Sequence, residues 1–130
     1  MATHLDYDDF LEQVEELEFI KNEEEADAAV RAVLGLLAGR MEETDARFMT
    51  ERLPEPLSYE GLRGRGYGEA DITVGEYIAE IADQFNLDED QAQELVETVL
   101  TVAKEAIGED MVTTLERRLP TDWADVLENA

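Results

Sequence analysis

Cysteine is absent from this chain of 130 residues, and there is one histidine (His4), one serine (Ser58) and two lysines (Lys21 and Lys104). Without cysteine there is no disulfide framework, no thiolate zinc site and no thiol nucleophile. A Ser-His-acid triad would have to bring a histidine near the N-terminus onto the single serine, so hydrolysis of that kind is not expected. One histidine and no cysteine also leave transition metals without their usual ligands. Proline occurs three times and glycine eight times, half of the glycines falling within residues 61–68. Long stretches are therefore free of helix breakers. No apolar run approaches the roughly 20 residues that span a bilayer. The N-terminal segment carries Asp6, Asp8 and Asp9 rather than a basic region followed by an apolar one, so a cytoplasmic, non-membrane protein is expected.

What is abundant is negative charge. There are 34 Asp and Glu against 10 Lys and Arg, a net charge of −24. Both halves share it, with 17 acids against 7 cations in residues 1–66 and 17 against 3 in residues 67–130. A compact body this negative repels itself in dilute salt. At ~1 M salt the screening length falls to ~3 Å and the repulsion nearly vanishes. Composition thus points to a salt-accumulating cytoplasm. It disfavours nucleic acid as a partner, since a polyanion is repelled and molar salt erases phosphate-driven affinity. The chain is 44% hydrophobic, enough to build a core despite its charge.

Apolar residues recur at three- and four-residue steps, the period of a helix with one buried face. Tyr7, Phe10, Leu11, Val14 and Leu17 predict a helix over 6–20. Ala26, Ala29, Val30, Val33, Leu34 and Leu37 predict a second over 23–39, with Asn22 and Glu25 as a capping pair. Ala32, Gly35 and Gly39 leave its other sides small. A short helix over 44–52 turns Phe48, Met49 and Leu53 inward and stops at Pro54 and Pro56. Val74, Tyr77, Ile78, Ile81, Ala82 and Phe85 predict a helix over 74–86 capped by Thr73 and Glu76. Ala92, Leu95, Val96, Val99, Leu100, Ala103 and Ile107 predict one over 89–107 capped by Asp88 and Gln91 and ended by Gly108. A helix over 110–118 follows, and after Pro120 a last turn holds Trp123, Val126 and Leu127.

The halves align. Phe10-Leu11 with Val14 matches Tyr77-Ile78 with Ile81. Ala26, Val30 and Val33-Leu34 match Ala92, Val96 and Val99-Leu100. Arg52-Leu53-Pro54 matches Arg118-Leu119-Pro120, and Leu57 falls where Trp123 falls. One single-residue shift suffices. The expected architecture is all-α: one globular domain over 1–130, made by tandem duplication of a three-helix unit. The units cover residues 6–57 and 73–127, joined by a Gly/Arg-rich linker over 58–72. Neither unit has core enough to stand alone, so their apolar faces should meet.

This order also carries a resemblance. An acidic start with Phe10-Leu11 and Val14, an Ala-rich Val30-Arg31-Ala32-Val33-Leu34 helix, then Arg52-Leu53-Pro54 and a repeat of the whole resembles the domain of unknown function 2267 family, small helical proteins of bacteria and haloarchaea. The resemblance covers nearly the whole chain. It implies a helical fold of tandem units and no particular activity. The Gly/Arg-rich linker departs from the family pattern, where an ordinary Leu-Arg and aromatic connection is expected.

Carboxylates are the one plentiful reactive group. The tightest runs, Glu23-Glu24-Glu25 with Asp27 and Asp88-Glu89-Asp90, open helices, where acids complement the helix dipole. Neither fits a calcium loop: counting from Asp88, position five is Ala92 and no glycine follows at six, while Asp6-x-Asp8 meets Phe10 at five. No metal, cofactor or catalytic residue is expected. The linker holds the candidate binding residues. Arg63 and Arg65 stand among glycines, flanked by Tyr59 and Tyr67, a set suited to an acidic partner surface through planar guanidinium forks and stacking rings. Phosphate-loop spacing is lacking. The competing expectation is a connector whose arginines pair with neighbouring carboxylates. The arginines of the two Arg-Leu-Pro segments read as helix-end cations. The expected function is a non-catalytic interaction module holding another protein or a second copy of itself; the alternative is a small-ligand or cation-binding helical protein.

Overall fold

A computed structural model describes residues 7–41, 43–54, 57, 59–63, 73–119 and 121–129. The described residues form eight α-helices and no strand: α1 (Tyr7–Glu15), α2 (Glu23–Arg40), α3 (Glu43–Glu51), α4 (Tyr59–Arg63), α5 (Val74–Phe85), α6 (Glu89–Ile107), α7 (Glu109–Arg118) and α8 (Thr121–Asn129). His4, Asp6, Pro56, Ser58, Arg65, Tyr67 and Pro120 lie outside them.

Local chemistry sets the helix starts. Asn22 Oδ1 accepts from the Glu25 amide at 2.8 Å. Thr73 with Glu76 and Asp88 with Gln91 form complete capping boxes, each satisfying two amides that a helix start leaves without partners. The ends differ more from expectation. α1 stops at Glu15, and the chain continues through tight turns in which Leu17 N–H donates to Val14 O and Ile20 N–H to Leu17 O, both at 3.1 Å. Glu15, Glu16 and Glu18 crowd that end without a cation in the last turn, and the helix dipole disfavours acids there. Gly108, at φ 97°, turns the chain directly from α6 into α7.

α2 is the central helix. Val30 and every residue from Ala32 to Gly39 are buried, as expected of a helix that is apolar and small on all sides. α1, α4, α5 and α6 surround it. α1 lies across both α2 and α6, α5 does the same from the other half, α7 and α8 cover α6, and α3 runs beside α4. The buried residues of both halves form one continuous cluster. The expected meeting of the two apolar faces is therefore present.

Three expectations are corrected. Residues 59–63, placed in the linker, are helical, and Leu62 of α4 is buried. The turn expected after Pro120 is a nine-residue helix, with Trp123 and Leu127 inside and Val126 half-buried. Phe48, placed inward, is 47% exposed and the largest apolar side chain left in water among the described residues. Ala46, Met49 and Thr50 occupy the inner face of α3, and Phe48, two positions from Ala46, falls on the opposite side of a 3.6-residue turn.

Candidate functional site

The sequence placed its site around Tyr59, Arg63, Arg65 and Tyr67. Tyr59 opens α4 and is half-buried; Arg63 closes the same helix; Arg65 and Tyr67 lie beyond the described residues. The structure adds α3 to this corner. The Arg47 guanidinium sits over the Tyr59 ring at 4.2 Å from its centroid, within cation–π range. Arg47 Nε also donates to Glu43 at 3.0 Å, one turn back on α3. Arg47, Thr50, Glu51, Tyr59 and Glu60 line an open depression of about 260 Å³, and Phe48 stands exposed on the same helix. Sequence reasoning missed Arg47 and Phe48. The available signal was the position of Phe48 relative to Ala46 and Met49, which a strict helical wheel puts outside.

The remaining candidate chemistry resolves into structural contacts. In the acidic start of α2, Asp27 accepts hydrogen bonds from the Tyr7 hydroxyl and, at 2.9 Å, from Arg31 Nε, tying α1 to α2. Glu25 Oε1 accepts from the Lys21 amide at 3.3 Å. In the acidic start of α6, Asp88 serves as the cap. Among the described residues no three His, Cys, Asp or Glu side chains gather as a metal would need.

The two Arg-Leu-Pro arginines act on helices other than their own, which corrects the expectation of helix-end cations serving the helix that carries them. Arg52 Nη1 donates to the Ile107 carbonyl, the end of α6, at 2.9 Å. Arg118 Nε donates to the Asp45 carboxylate of α3 at 2.8 Å. Lys104 Nζ likewise reaches the Leu127 carbonyl at the end of α8, at 2.8 Å. In a chain short of cations these are spent on carbonyl ends and a nearly buried carboxylate, where they satisfy acceptors that water does not reach freely.

Two tyrosines pin α1 and α5 to α2. Tyr77 of α5 is fully buried, donates to the Val33 carbonyl of α2 at 2.9 Å, and lies against Trp123 of α8 with ring centroids 4.6 Å apart. Burial pushes its phenol far above the usual value of 10.0. Burial, and then the hydrogen bond to Asp27, does the same to Tyr7. The folded chain thus holds these protons more tightly than the unfolded chain. Their contribution to stability is complete below about pH 10 and is lost as the pH rises beyond it. In an alkaline titration Tyr7 and Tyr77 should ionise together with the loss of helical signal. That component should shrink in Tyr7→Phe and in Tyr77→Phe. Phenolate absorbance from both residues in a chain that keeps its helicity would contradict their placement.

Fold and composition together define an acidic bundle that is all-helical among the described residues. No helix among the described residues is long and apolar enough to cross a membrane. The chain belongs to the family described as uncharacterized conserved protein DUF2267, whose model matches residues 7–126. No curated protein and no solved structure matches it.

Proposed function

We propose that this chain is a non-catalytic helical module that binds another protein, or a second copy of itself, in a high-salt cytoplasm. The observation that carries this reading is the α3–α4 corner: the Arg47 guanidinium stacked on Tyr59 with a depression beside them, and Phe48 exposed on the same helix as Arg47. Aromatic residues and arginine are the types enriched in protein interfaces, because they offer large contact area together with directed polar groups. The candidate stretch containing Arg63 and Arg65 follows Tyr59 in the sequence. The −24 charge supports both the high-salt setting and the exclusion of nucleic acid.

Duplication of one helical unit accounts best for the order of elements. Glu23 and Glu89 open α2 and α6, and Glu43 and Glu109 open α3 and α7, at one constant separation; α4 and α8 follow their respective Arg-Leu-Pro segments. Each unit then contributes four helices to a single domain.

The test is capture from a lysate held at molar KCl, read by quantitative mass spectrometry, with light scattering on the purified chain. A set of proteins held by the native chain, or a self-associated state, should weaken about tenfold or more in Phe48→Ser, and also in the Arg63→Ala, Arg65→Ala double variant. If both variants retain the same set at the same occupancy, neither this corner nor the following stretch is the binding surface.

A further inference from the structure

α3 is nine residues long, below the roughly 12–15 residues at which an isolated helix becomes even marginally stable in water. Its backbone runs beside α4, itself only five residues long, and its proximity to the other helices is slight. Two of its buried residues, Asp45 and Thr50, are polar. The Thr50 hydroxyl bonds back to the Ala46 carbonyl at 3.0 Å, a contact that tends to weaken a helix rather than anchor it. Ala46 and Met49 are its fully buried apolar contribution.

Both ends of this segment are fastened to the other half of the chain by arginine. At the N-terminal end, Asp45, with its side chain 8% exposed, accepts from Arg118 of α7 at 2.8 Å. Just past the C-terminal end, Arg52 donates to the Ile107 carbonyl at 2.9 Å. These bonds bridge helices whose backbones barely approach each other. Charge-assisted bonds of this kind are among the stronger ones, and the low exposure of Asp45 keeps salt from fully screening its bond to Arg118.

We infer that α3 is a strap laid over the common core and clasped at both ends by Arg118 and Arg52, able to open locally while α2 and α6 stay folded. Opening uncovers Ala46 and Met49 on the helix that already carries Phe48. The strap stands independently of the interaction role proposed above, because its test reads the isolated chain.

Native-state hydrogen exchange of the full chain in molar KCl decides the matter. The α3 amides should exchange at least about tenfold faster than those at the centres of α2 and α6. Arg118→Met and Arg52→Met should each speed the α3 amides by roughly another tenfold and leave the centres of α2 and α6 unchanged. Because Arg118→Met strands Asp45, the double variant Arg118→Met, Asp45→Asn serves as the second case, and it should speed α3 selectively as well. Equal exchange of α3, α2 and α6 in the native chain, or uniform acceleration of all helices in the variants, overturns the strap.

Discussion

Trp123→Ala should remove about 3–5 kcal/mol of stability, the usual range for truncating a large buried aromatic. Trp123 is 1% exposed and lies against Tyr77, whose hydroxyl is bonded to the Val33 carbonyl. Its ring packs against Tyr77 where α8 meets α5. Alanine there leaves a cavity beside Tyr77, whose hydroxyl ties α5 to α2. Urea denaturation in molar KCl measures the loss, with Phe48→Ala as the control. Phe48 is exposed, so its truncation should stay within about 0.5 kcal/mol of the native chain. A loss below about 1 kcal/mol for Trp123→Ala would mean that the ring is not packed in the core against Tyr77 as described.

The second large effect is that of salt. Lowering KCl from molar to millimolar concentration should depress the melting temperature steeply and leave the chain partly unfolded at the dilute end. The net charge of −24 is spread over both halves. Several of the few cations are engaged in bonds within the chain: Arg52 and Lys104 to helix-end carbonyls, Arg118 to Asp45, and Arg31 to Asp27. Ten cations cannot neutralise 34 acids. Screening by dissolved salt takes over that task, and it changes from a length of ~30 Å at 0.01 M to ~3 Å at 1 M. Circular dichroism melts across a KCl series, with a second series in a neutral osmolyte, separate charge screening from general stabilisation. A melting temperature that is flat or falls with KCl would remove the high-salt setting from the proposal.

Much of the fold was legible because apolar spacing and cap chemistry are local properties. The starts of α2, α5 and α6 follow from Asn22, Thr73 and Asp88, each followed three residues later by the side chain its cap needs. The stripes of α1, α2, α5 and α6 were read with few errors; the buried apolar additions were Ala32, Leu36 and Ala38 on α2 and Val102 on α6. These are buried because α2 and α6 are enclosed by partners on several sides, a circumstance no single helix records. α4 escaped notice because the glycines at 61 and 64 lower helix propensity, while the burial of Leu62 against α2 supplies the stabilisation that propensity lacks. The site was half legible. Tyr59 was named, but its partner Arg47 is twelve residues away on another helix, and only the packing of α3 beside α4 brings them together.

The sequence by itself determined that this protein is helical, highly acidic and without cysteine, because composition, period and capping act within a few residues. Tertiary structure decided where the scarce cations go. Arg52 and Arg118 read as ends of their own helices, yet each bonds to the opposite half. A guanidinium is long enough to serve any acceptor within several ångströms, and which acceptor lacks water is settled only when the helices have packed.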